Sequence, residues 1–86
     1  MKTEKEYKLF IKNQENWLQI SESGNVRTCE MVYQGHSAFR MDERNDGGAW
    51  KRKHWYRITP AGISVEMKMH EFIEFLKLID RQEEKA

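Results

Sequence analysis

Gly62-Ile63-Ser64-Val65-Glu66-Met67-Lys68-Met69-His70-Glu71-Phe72-Ile73-Glu74-Phe75-Leu76-Lys77-Leu78-Ile79-Asp80 is the stretch in which the period of the chain changes. Up to Met67 the apolar residues Ile63, Val65 and Met67 alternate with polar ones, as in a strand that buries one face. From Met69 onward, Met69, Phe72, Ile73, Phe75, Leu76 and Ile79 share one broad helical arc, with His70, Glu71, Glu74, Lys77 and Arg81 outside it. Leu78 falls beyond the edge of that arc, so the apolar surface is wider than one sheet contact requires. The pattern predicts a helix over about residues 68–82. Its start is open between a position directly before Met69, where no capping side chain stands, and one capped by Ser64 with Glu66 in the first turn.

Upstream, the chain reads as strands punctuated by turns. Tyr7, Leu9 and Ile11 alternate with Lys8, Phe10 and Lys12, which predicts a first strand, and Asn13-Gln14-Glu15-Asn16 then reads as a hairpin loop. Alternation resumes from Trp17 to Ser21 and places Leu18 and Ile20 inward and Trp17 outward. Ser23-Gly24-Asn25, Gln34-Gly35-His36-Ser37, Asn45-Asp46-Gly47-Gly48 and Pro60-Ala61-Gly62 are turn signals, because Gly and Asn tolerate positive φ and Pro cannot donate to a ladder. They bracket strands over residues 26–33, 38–43 and 50–59. The expected fold is α+β: a curved antiparallel sheet of about four to six strands over residues 7–67, followed by one C-terminal amphipathic helix.

The chain has 86 residues, one proline, one cysteine and 38% apolar residues, which predicts a single domain over residues 1–86. Fifteen Lys and Arg against 14 Asp and Glu leave a net charge of +1, so any attraction to a polyanion must be local. Apolar runs no longer than Leu9-Phe10-Ile11 are too short for a membrane span. Cys29 has no partner for an intramolecular disulfide and the N-terminus has no apolar signal core, so an intracellular protein is expected.

Charge is distributed unevenly. Residues 21–48 carry three bases and five acids, whereas residues 49–63 carry four bases and no acid. There Trp50-Lys51-Arg52-Lys53-His54-Trp55-Tyr56-Arg57 interleaves cations with aromatic rings. Single-stranded nucleic acid is held by cations along the phosphates and by flat faces under unstacked bases, each stack worth about 1–3 kcal/mol. Alternation predicts Lys51, Lys53, Trp55 and Arg57 on one binding face, with Arg52, Trp50 and Trp17 nearby, while Tyr56 and Ile58 point to the core. The competing reading is a solvated edge strand whose tryptophans cover a small core.

Phe39-Arg40-Met41-Asp42-Glu43-Arg44, Asp46-Gly47-Gly48-Ala49-Trp50-Lys51-Arg52-Lys53 and Gly62-Ile63-Ser64-Val65 before Glu71-Phe72-Ile73-Glu74-Phe75-Leu76 resemble the positive cofactor four family of transcriptional coactivators. The resemblance covers about half the chain. It departs from the family in the roughly eight residues, His54 to Ala61, between the basic segment and Gly62, and in a later helix. It implies a homodimer paired through the helices, here Phe72, Phe75, Leu76, Leu78 and Ile79, binding single-stranded DNA on the sheet. Tyr7 to Ile11, Trp17-Leu18-Gln19-Ile20-Ser21-Glu22-Ser23 and Phe72 to Asp80 also resemble a repeat of the purine-rich-element-binding family, which implies the same ligand class.

No other chemistry has a motif. His36, His54, His70 and Cys29 lack metal-ligand spacing, and the phosphate-loop, nucleophile-elbow and dinucleotide fingerprints are missing. No catalytic residue, metal or cofactor, no small-molecule substrate and no membrane partner is expected. The expected function is binding of single-stranded nucleic acid, DNA before RNA as the expected ligand, largely without regard to sequence, by a homodimer serving transcription or DNA metabolism. The alternative is a small regulatory module whose aromatic surface docks a protein.

Overall fold

The turn signals and the C-terminal helix organise the molecule as expected, but its N-terminal segment is helical. The computed structural model describes residues 2–85, with the side chains of residues 36–38, 52, 84 and 85 outside that description. In chain order the elements are α1 (Glu4–Lys12), a 3₁₀ turn (Gln14–Asn16), β1 (Leu18–Ser23), β2 (Val26–Tyr33), β3 (His36–Asp46), β4 (Ala49–Ile58), β5 (Ser64–Met67) and α2 (Met69–Lys85). The five strands form one antiparallel meander in the order β1-β2-β3-β4-β5, and with the C-terminal helix this is the α+β architecture.

The predicted strand at Tyr7–Lys12 is corrected to α1, so the sheet begins at Leu18 rather than near residue 7. The segment Tyr7, Phe10, Ile11 satisfies a helical period as well as Tyr7, Leu9, Ile11 satisfies a period of two; tertiary contacts of the helical face decide between them, and a cap adds to the helix. Thr3 Oγ1 accepts from Glu6 N–H at 3.2 Å, and Glu6 Oε1 accepts from Thr3 N–H at 3.1 Å, a reciprocal box that satisfies two orphan donors. These bonds hold the Glu6 carboxyl below the usual range. Tyr7 and Ile11 are fully buried and Leu9 is exposed, so the helical period is the one the core uses. Burying each of those two side chains stabilises the fold by about 1.5–3 kcal/mol.

The long β3–β4 hairpin closes at Gly47 and Gly48, with φ of 68° and 87°. Positive φ at both central residues matches the twist of paired strands, and Gly48 N–H is also bonded to Asn45 Oδ1 at 3.0 Å. At the other end, α2 starts at Met69 without a capping hydroxyl before it. Glu71 Oε1 instead accepts from Lys68 N–H at 2.9 Å, which resolves the start in favour of Met69 over Ser64.

One face of the sheet is covered and the other is not. Against the covered face, Phe72 of α2 packs on Phe39 of β3 at 4.8 Å between centroids and meets Trp17 edge-on at 6.1 Å. Tyr7, Ile11, Cys29, Met31, Tyr33, Met41, Met67, Ile73, Leu76 and Ile79 complete this core. The expected order at β1 is reversed. Trp17 is buried and donates its indole N–H to Ile11 O at 2.8 Å, while Leu18 and Ile20 are exposed. The reason is α1, which lies on the inner side where a first strand was expected and supplies the carbonyl that the indole needs.

Candidate nucleic-acid interface

The position of the candidate side chains on β4 follows from one irregularity. Between β3 and β4, Asp42 pairs with His54 and Arg44 pairs with Lys51, so two residues of β4 stand opposite the single residue Glu43. This bulge shifts the phase of alternation by one. Downstream, Trp55 pairs with inward-facing Met41 and Arg57 with inward-facing Phe39. Upstream, Lys51 pairs with Arg44, which stands on the uncovered face with Arg40 and Asp42.

The four residues expected on one binding face are therefore divided. Trp55 is half-buried against the core, opposite Met67 as well as Met41. Arg57 holds its guanidinium 5.0 Å from the centroid of Phe75 on α2. Lys53 Nζ lies 4.0 Å from Oε2 of Glu43. Lys51 alone is exposed on the open face. Trp50 shares the covered side and lies under Arg27, whose Cζ is 4.6 Å from its ring centroid. The side chain of Arg52 lies outside the described residues. Trp17, buried beneath α1, offers no platform to a base.

Glu43 explains why the inward cations stay there. It is 1% exposed, accepts from Arg27 Nε at 2.9 Å and from Cys29 Sγ at 3.9 Å, and faces Lys53. A carboxylate this buried needs cationic partners. Its hydrogen bond holds the Arg27 guanidinium above its ordinary pKa. Burial, and then the charge of Glu43, pushes the Cys29 thiol up, which leaves it a poor nucleophile.

The open face presents Arg40 and Asp42, on the side opposite Phe39 and Met41, with Tyr56, which was expected in the core. Arg40 lays its guanidinium 4.6 Å from the centroid of Tyr56, which faces the open side and not the core. Asp42 accepts from Thr28 Oγ1 at 3.1 Å and lies 3.4 Å from Arg40 Nε. His54 Nδ1 is 2.9 Å from Oε1 of Glu66 on the neighbouring strand. Burial first, then Asp42 and Glu66, raise the pKa of Tyr56, so it remains a neutral phenol. Val26, Asp42, Glu43, Arg44, His54, Tyr56 and Glu66 line a shallow depression of about 290 Å³. Among the described residues, no acid lies within ion-pair distance of Arg44 or Lys51. His54 and Tyr56 were missed because the bulge in β4 has no sequence mark, and Arg40 and Arg44 because they lie on β3, outside the basic, aromatic run. The only available signal was that His54 and Tyr56 belong to the same basic, aromatic run as Lys51.

The expected dimer residues are also divided. Phe72, Leu76 and Ile79 belong to the core of their own chain, whereas Phe75 is half-buried and Leu78 is exposed. Among the described residues no group of three or more His, Cys, Asp or Glu could hold a metal, and no helix is long and apolar enough to cross a membrane. No family model, curated protein or solved structure matches the chain.

Proposed function

We propose that the protein binds single-stranded nucleic acid, DNA or RNA, on the open face of its sheet near the β3–β4 turn. The observation that carries this reading is the pairing of Arg44 with Lys51 across the bulge. It puts two exposed cations that have no acidic partner among the described residues beside the stacked Arg40–Tyr56 pair. Two acids of the open face are already engaged, Asp42 by Thr28 and Arg40, and Glu66 by His54, while Glu30 stands in register with Arg40. Phosphates would lie against Arg44 and Lys51. A base would stack on the guanidinium plane of Arg40 or displace it from Tyr56. A homodimer through α2 retains Phe75 and Leu78 of the five residues first assigned to it.

The test is anisotropy of a labelled oligothymidine and of its duplex counterpart, at low and moderate salt. Binding of the single strand that weakens with salt supports the reading, and no binding at low salt overturns it.

One observation favours a second reading, a protein-docking module. Leu18 and Val32, 72% and 57% exposed, flank Glu30 on the same open face. Exposed apolar side chains around a charged centre suit a protein partner better than a phosphate backbone. The docking module predicts no response to the oligonucleotide at any salt concentration.

A further inference from the structure

On the covered side, away from the open face, the segment before α1 delivers Lys2 to a pocket built from three rings and a carboxylate. Lys2 Nζ lies 5.6 Å from the ring centroid of Tyr7, 5.6 Å from that of Phe10 and 5.4 Å from that of Tyr33. It also donates to Tyr33 Oη at 3.0 Å. Tyr33 in turn donates its hydroxyl proton to Asp80 of α2, 3.0 Å from Oδ1 and 3.1 Å from Oδ2. Tyr7 donates to Oδ2 of the same carboxylate.

The walls of this pocket do not depend on Lys2. Tyr7 and Tyr33 are core residues on α1 and β2, and Phe10 meets Tyr33 edge-on at 5.5 Å with 79° between the rings. Asp80 is 7% exposed on α2. Burial by itself would raise the pKa of Asp80, but the hydrogen bonds from Tyr7 and Tyr33 and the charge of Lys2 hold it below the usual carboxylate range. The charge therefore stays in place behind the rings. Lys2 is only half-buried, so the pocket opens to solvent along the path of its side chain.

Ring faces and edges around a cation, closed by a carboxylate, are the chemistry that receives an ammonium group. Tyr33 Oη, whose proton goes to Asp80, accepts one donor on its open side, which a primary ammonium supplies and a quaternary one lacks. We propose that Tyr7, Phe10, Tyr33 and Asp80 form an alkylammonium-binding site, filled in cis by Lys2 and able to take a lysine side chain of another polypeptide once Lys2 is withdrawn. A tethered lysine competes at an effective concentration in the millimolar range, so it keeps weak outside ammonium groups out. Neutralising Lys2, as acetylation would, opens the site.

The experiment compares wild type, Lys2→Ala and Lys2→Gln by amide chemical shifts during titration with n-butylammonium at constant ionic strength, with n-butanol as the neutral control. The expected result is saturable shifts at Tyr7, Phe10 and Tyr33 in both variants, at least tenfold tighter than in wild type, and none with n-butanol. Adding Phe10→Ala to Lys2→Ala removes a half-buried wall and is expected to weaken the response severalfold. The proposal is overturned if either folded variant shows no saturation up to about 50 mM, above the range of the tethered competitor. It is equally overturned if wild type and variants titrate alike, or if n-butanol matches the ammonium.

Discussion

Lys51 and Lys53 are two positions apart on β4 and face opposite sides of the sheet: Lys51 stands across from Arg44 on the open face, and Lys53 points to buried Glu43. In an unbroken strand they would share a face. The bulge opposite Glu43 thus assigns one lysine to the surface and the other to charge neutralisation.

This division predicts unequal effects of removing the two cations. Arg44→Ala with Lys51→Ala is expected to lower affinity for oligothymidine at least tenfold. The salt dependence should also become shallower, by about 0.7 in slope for each phosphate that is no longer neutralised. Lys53→Ala should bind as wild type does. Equal losses of affinity in both variants would remove the open face from the mechanism.

Emission of the three tryptophans provides an independent check. Trp17 and Trp55 pack into the core and Trp50 lies under Arg27 on the covered side, so bound single strand should leave tryptophan emission almost unchanged while the oligonucleotide's anisotropy rises. Strong quenching would place the bases against one of these indoles and not on Tyr56.

Glu43→Gln removes the negative charge from between Arg27 and Lys53. A hydrogen bond to a charged group of this kind is worth about 1.5–3 kcal/mol, and urea denaturation should show a loss of that size. Because the Glu43 carboxylate is buried and turned toward Arg27 and Cys29, the affinity of folded protein for single strands should hold.

Asp80 and Tyr7 give stability a defined pH window. Asp80 has a lowered pKa in the fold, so the folded state binds fewer protons than the unfolded one near and below the ordinary value of 3.8. Its contribution is complete above that value and disappears as pH falls through the lowered one. Tyr7 is the opposite case, because burial and its bond to Asp80 raise its pKa above the ordinary 10.0. That contribution is complete below pH 10 and is lost as pH rises through the raised value. Tyr7→Phe should cost about 1–3 kcal/mol at neutral pH and flatten the alkaline limb of denaturation midpoints. Asp80→Asn should flatten the acid limb.

Local chemistry was enough to locate most of the framework. Positive φ at Gly24, Gly35, Gly47, Gly48 and Gly62 coincides with the turns read from the sequence, and the β2 strand is Val26–Tyr33 as expected. The helical arc from Met69 to Ile79 likewise supplies Phe72, Ile73, Leu76 and Ile79 to the core. These features follow from residues close in sequence, where backbone sterics and the period of apolar side chains act directly.

Two decisions depended on contacts between distant residues. Tyr7, Phe10 and Ile11 became a helix because Trp17, Tyr33 and Asp80 receive that face, whereas the residues alone fit two periods. The opposite sides of the sheet taken by Lys51 and Lys53 were set by the bulge against Glu43 and the ion pairs it shelters. The sequence by itself determined where the chain turns and which segment forms the covering helix, because those are local preferences. Only the tertiary structure decided which residues face outward, because one extra residue in a ladder reverses the alternation without altering its composition.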